Sequence, residues 1–73
     1  PPAALPVLRD FHPGDVLELE LDGPAPRATD IAFRQIGRDT CVLIWDEPVL
    51  TLAGVEARRL SPAALRFRSP RAA

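Results

Sequence analysis

The sequence predicts a small all-β domain, a mainly antiparallel sheet or sandwich of about five short strands with one helical turn near the C-terminus. Three observations support this fold class. The chain has 73 residues, enough for one domain. Apolar residues alternate with polar ones over short stretches. Clusters of proline, glycine and aspartate separate those stretches, as turns separate strands.

The N-terminal third contains an arm, an apolar run and one clear strand. Residues 1–6 include three prolines, which predicts an extended arm or linker end. Residues 7–11 are a short apolar run that ends in a turn at 12–15. Over residues 16–21, leucines alternate with Glu18 and Glu20, which indicates a half-buried strand with one solvated face.

The middle of the chain predicts three further strands. Residues 29–36 place Ile31 and Phe33 on one face and Arg34 on the other. Residues 40–45 are apolar on both faces, which favours a central strand ending at Trp45. A tight turn is expected at residues 46–48, and residues 49–55 alternate again until Gly54 interrupts the pattern.

The C-terminal part predicts one helical turn over residues 61–65, with Ser61 as its cap and Pro62 in its first position. The domain is therefore expected to span residues 7–67, followed by a flexible tail at 68–73. The predicted core comprises Leu17, Leu19, Leu21, Ile31, Phe33, Leu43, Trp45, Leu50, Leu52, Leu65 and Phe67.

The residues offer no catalytic constellation, so we expect a non-enzymatic protein without a small-molecule substrate. His12 lies in a proline–glycine turn with no nucleophile at a useful spacing. Cys41 opens an apolar strand and is expected to be a buried, inert thiol. The net charge of −1 argues against nucleic-acid binding, and no apolar run is long enough to predict a transmembrane segment.

Four carboxylates lie close together in the sequence, namely Asp15, Glu18, Glu20 and Asp22. Calcium needs six to eight oxygens arranged around it, whereas a strand presents carboxylates in a row. A solvated face paired with arginines is therefore the favoured interpretation. If calcium binds, the Gly14–Asp15 turn is the expected place, which makes Asp15 the one candidate metal ligand.

Arginines concentrate toward the C-terminus, whereas the acidic residues concentrate in the first half. This distribution is consistent with opposite charges on neighbouring strands, and a basic docking patch is the sharper alternative. Its candidate partner-binding residues are Arg58, Arg59, Arg66 and Arg68.

Two stretches resemble a known family. Residues 8–19 read LRDFHPGDVLEL; residues 39–43, 50–55 and 60–67 read DTCVL, LTLAGV and LSPAALRF. In order and spacing they are similar to the C-terminal region of haemolysin-type calcium-binding (RTX-like) proteins, which are exported by a type I system. The resemblance covers roughly residues 7–67.

That resemblance implies an all-β structural and targeting module that caps a calcium-loaded parallel β-roll in an extracellular protein. Its partner would be a protein, either the rest of a larger chain or an assembly. Calcium is a possible cofactor by resemblance, although the glycine-rich nonapeptides that bind it in that family are absent from this chain. The alternative is a small accessory subunit or protein-binding module docked on a larger assembly.

Overall fold

The alternating stretches of the sequence form six short strands in a computed structural model, which describes residues 5–68. Residues 1–4 of the predicted arm and 69–73 of the predicted tail lie outside this part. The strands are β1 (Val7–Leu8), β2 (Leu17–Glu20), β3 (Ile31–Ile36), β4 (Asp39–Ile44), β5 (Glu47–Leu52) and β6 (Leu65–Arg68). The prediction of a small all-β fold is confirmed.

The six strands form two sheets. The large sheet has the order β1-β5-β4-β3, and the small sheet pairs β2 with β6. Strands β3, β4 and β5 form an antiparallel meander, because short turns join neighbours in sequence. By contrast, β1 runs parallel to β5 and β2 runs parallel to β6.

The core lies between the two sheets. Its buried centre consists of Val42, Leu50, Leu52, Val55 and Leu65. The predicted core residues Leu17, Leu19, Ile31, Phe33 and Phe67 are half-buried and pack against this centre. Leu43 is also buried, Leu21 is half-buried, and Cys41 is buried as predicted.

Strand β4 is central, as its two apolar faces predict. Every residue from Thr40 to Ile44 is buried. The sequence pattern does not place Val42, Ile44 and Val55 in the core, because alternation assigns only one face of each strand to the interior.

The prediction that Trp45 belongs to the core is wrong. Trp45 is 53% exposed, and it forms the β4–β5 turn together with Asp46. Both residues have positive φ, 51° and 65°, as a two-residue type I′ hairpin turn requires. The predicted turn at 46–48 is therefore displaced, because Glu47 and Pro48 already belong to β5.

The C-terminal helical turn is present but shorter than predicted. A 3₁₀ turn spans Pro62–Ala64, with proline in its first position. Ser61 occupies the predicted cap position, but its side chain makes no capping bond; its carbonyl accepts from the Ala64 N–H in the first hydrogen bond of the turn. Two further 3₁₀ turns span Ala28–Asp30 and Ala57–Arg59.

Polar side chains at one end of the meander hold the loop that leads from β5 toward β6. The fully buried Thr40 donates its hydroxyl to the Val55 carbonyl at 2.6 Å. Asp39 accepts from the Gly54 N–H at 2.8 Å, and Gln35 accepts from the Ala57 N–H at 2.7 Å. These bonds satisfy backbone groups that leave the ladder and fix the loop on the sheet.

Candidate docking edge

Strands β1 and β2 follow each other along the chain but lie in different sheets, β1 in the large one and β2 in the small one. We call β1, its following loop and β2 the first rung. Strand β5, its loop and β6 form the second rung. Because β1 pairs parallel with β5 and β2 pairs parallel with β6, the first rung lies directly on the second. Strand β1 is an edge strand of the large sheet, β2 is an edge strand of the small sheet, and residues of both line one cleft.

Backbone groups of the first rung point away from the protein. The carbonyls of Pro6 and Leu8 accept from the N–H groups of Thr51 and Ala53, which leaves the N–H and carbonyl of Val7 facing outward. In the small sheet, the Leu21 N–H donates to the Arg68 carbonyl. By alternation, Glu18 and Glu20 direct their backbone groups outward. We call this pair of open edges the docking edge.

Apolar surface accompanies these free backbone groups. Of the five large apolar side chains that are exposed within residues 5–68, Val7 and Val16 lie in the first rung and Leu5 lies just before it. An apolar cleft of about 360 Å³ also opens between the sheets, lined chiefly by Leu8, Leu17, Leu19, Leu21 and Leu50. The core is therefore incompletely covered beside the docking edge.

Asp15 lies in the exposed turn at the end of the first-rung loop. Its carboxylate accepts from the His12 N–H at 3.0 Å, and its own N–H donates to the His12 carbonyl at 2.9 Å. The His12 imidazole Nδ1 is 3.8 Å from the same carboxylate. This turn lines a shallow pocket with Ser61 and Ala63 of the second-rung loop. Within residues 5–68, no group of three or more acidic, histidine or cysteine side chains could hold a metal ion.

The four candidate arginines lie on two elements, Arg58 and Arg59 in the 3₁₀ turn Ala57–Arg59 and Arg66 and Arg68 on β6. Arg58 and Arg59 both reach Glu56, with N–O distances of 2.8 and 3.5 Å. Arg66 and Arg68 lie on β6, opposite Glu18 and Glu20 of β2 in register. Arg68 reaches Glu18 at 3.2 Å, in agreement with a carboxylate face paired with arginines. Exposed pairs of this kind contribute little to stability.

Alternation identified the outward-facing acids of β2, but it could not identify the docking edge itself. That edge depends on parallel pairing between residues far apart in the sequence, for which the chain carries no local signal. The side chains of Gln35, Asp39 and Thr40 were also missed, since polar residues beside a turn are common without long-range bonds.

The helical segments within the described residues are all three-residue 3₁₀ turns, and none is a candidate for crossing a membrane. Comparison with protein-family models, curated proteins and solved structures gave no match for this chain.

Proposed function

We propose that this chain is a non-enzymatic structural module that caps the end of a parallel β-roll, as in an RTX-like secreted protein. The observation that carries the proposal is the stacking of the first rung on the second, in parallel, in both sheets at once. Parallel rolls and solenoids are built by repeating this relation between neighbouring turns of the chain.

The docking edge supports stacking of one further rung. An incoming strand in the large sheet would bond to the free backbone groups of Val7, and a strand in the small sheet would bond to those of Glu18 and Glu20. Apolar side chains between the incoming strands would fill the cleft beside Leu8 and Leu19. Burying Val7 and Val16 would remove exposed apolar surface from water.

The opposite side of the molecule supports a terminal position. There the large sheet continues past β5 into β4 and β3, whereas the small sheet ends at β6 within the described residues. The two sheets therefore offer no matching pair of edges to a second incoming rung. A repeat array needs such a terminal unit, because its last turn exposes apolar surface and an open edge.

The natural partner in this proposal is a protein segment that precedes the domain in a longer chain or is supplied by an assembly. Calcium would be bound chiefly by that segment, with the Asp15 turn next to it. By the family resemblance, the whole protein would act outside the cell after type I export.

The test joins glycine- and aspartate-rich calcium-binding repeats to the N-terminus of the 73-residue chain. Calcium-induced β-structure is then followed by circular dichroism. We expect the joined protein to fold at lower calcium than the repeats alone. Val7→Arg should remove this advantage because it places a charge on the docking edge.

Ile36→Arg is the matched control, since Ile36 is equally apolar and exposed but lies on β3 at the far edge of the large sheet. It should retain the advantage. Repeats that fold at the same calcium concentration with and without the domain would contradict the proposed capping function.

A further inference from the structure

The far edge of the large sheet, formed by β3, carries fewer of the features that usually protect an edge strand. Native edges are blunted by charges, prolines or very short strands. Strand β1 is two residues long, β2 carries two glutamates and β6 carries two arginines. Strand β3 is six residues long, contains no proline and carries one charge, Arg34.

The direction of each backbone group of β3 follows from one hydrogen bond. The Trp45 N–H donates to the Asp30 carbonyl at 2.8 Å, which extends the β3–β4 register by one residue pair. Along an antiparallel strand, the backbone N–H and carbonyl groups of successive residues point in alternate directions. Those of Ala32, Arg34 and Ile36 therefore point toward β4. Those of Ile31, Phe33 and Gln35 point away from the sheet. The Ile31 N–H is taken by the Ala28 carbonyl. The Ile31 carbonyl and both groups of Phe33 and of Gln35 remain available.

We propose that β3 pairs with β3 of a second copy of this chain, antiparallel and about a twofold axis at Phe33. This register sets each Phe33 opposite its counterpart, so their N–H and carbonyl groups bond reciprocally. It also brings the Gln35 N–H of each copy to the Ile31 carbonyl of the other. Every available donor on this edge then has an acceptor, giving about four inter-chain hydrogen bonds.

Charge selects the same register. With Phe33 on the axis, Arg34 of one copy faces Ala32 of the other and has Asp30 as its diagonal neighbour. Shifting the axis to residue 34 would set the two Arg34 side chains directly opposite each other, which is unfavourable. Strand β3 is therefore self-complementary, with an acid before it and a base in its second half.

The pairing closes on itself. A twofold interface uses the same edge of both copies, so it produces a dimer and not a fibre. It leaves the docking edge free, because β1 and β3 lie at opposite ends of the large sheet. A single strand pair buries much less than a standard interface, so we expect a weak dimer with a dissociation constant of about 10 μM to 1 mM.

Two substitutions at one exposed position test the dimer and its register. Sedimentation equilibrium of the 73-residue chain is measured between about 10 μM and 2 mM. Ala32→Arg places like charges opposite Arg34 in both halves of the dimer and should weaken association by about tenfold. Ala32→Glu places opposite charges there and should strengthen association by about tenfold. The double variant Ala32→Arg with Arg34→Glu should restore it.

Hydrogen exchange at low and high concentration supplies an independent readout. The amides of Phe33 and Gln35 should be protected only at high concentration, while those of Ala32 and Arg34 should be protected throughout by β4. A monomer at the highest concentration overturns the proposal. So do equal affinities for the two Ala32 variants, or a dimer abolished by Val7→Arg, which would locate the contact at the docking edge.

Discussion

The antiparallel meander of β3, β4 and β5 and the parallel strands β1, β2 and β6 differ sharply in burial. Five of the six residues of β4 are buried, whereas no residue of β1 or β2 is. The meander ladders also continue for most of each strand, while β1 pairs through only two residues. The meander therefore supplies most of the buried core, whereas the parallel strands β1 and β2 pack against it and keep open edges.

Truncating Leu52, where the meander and the parallel strand β1 meet, should destabilise the domain most. Leu52 is 1% exposed and pairs with Thr40 on one side and Leu8 on the other. Leu52→Ala should lower the free energy of unfolding by roughly 2–5 kcal/mol, which is close to the whole stability of so small a domain. We expect unfolded or insoluble protein, measured by thermal melting.

Phe33→Ala should act in the same direction, and Leu19→Ala, in the half-buried part of β2, should cost less than Leu52→Ala. Equal melting temperatures for Leu52→Ala and wild type would show that the core does not lie under the meander.

A smaller loss of stability should follow from removing the hydrogen bond between Thr40 of β4 and the Val55 carbonyl in the loop after β5. Thr40→Val keeps the shape of the side chain but leaves the buried Val55 carbonyl without its donor. The expected loss is about 1–3 kcal/mol in the free energy of unfolding by urea. Thr51→Val is the control, since Thr51 is only half-buried and its change should be near zero. A harmless Thr40→Val would mean that the loop is held by packing alone.

Replacing Trp45 should raise the stability of the domain by a small amount. A non-glycine residue with left-handed backbone geometry is strained, and asparagine tolerates that region better than tryptophan. Trp45→Asn should therefore stabilise the domain by about 0.5–1 kcal/mol, whereas the β-branched Trp45→Val should not. A raised melting temperature for both variants would point to aromatic exposure, not backbone geometry, as the source of the effect.

These positions also show how far the sequence predicts the structure. Alternation correctly placed Leu17 and Leu19 inward and Glu18 and Glu20 outward, because β2 has one solvated face. It failed at Trp45, because hydrophobicity suggests burial while the type I′ turn is set by pairing on both sides of it. The sequence does not predict which strands pair with β1 and β2, because parallel partners are not joined by a short turn that would mark the pair.

Calcium binding at the Asp15 turn, in the loop between β1 and β2, should be the weakest of these effects. One turn supplies few of the six to eight oxygens that calcium requires, and the Asp15 carboxylate already accepts the His12 N–H. Isothermal titration of the isolated chain should show no micromolar site and at most weak binding at roughly millimolar calcium. Asp15→Ala should reduce that weak calcium binding more than Glu18→Gln or Glu20→Gln does. A saturable micromolar site would mean that the acidic face of β2 contributes ligands.

The parallel pairing also sets the order in which the domain can form. Strand β1 can pair only after β5 is present, and β2 only after β6, so each pair closes a loop of about 45 residues. The strands of the meander, by contrast, are joined by two tight turns. On a ribosome the first rung would emerge early; β1 would find its partner once β5 has formed, whereas β2 would remain unpaired until β6 is released. Loss of the final strand should therefore leave β2 without a partner, so a chain stopped before Leu65 cannot assemble the first rung however well its meander has folded.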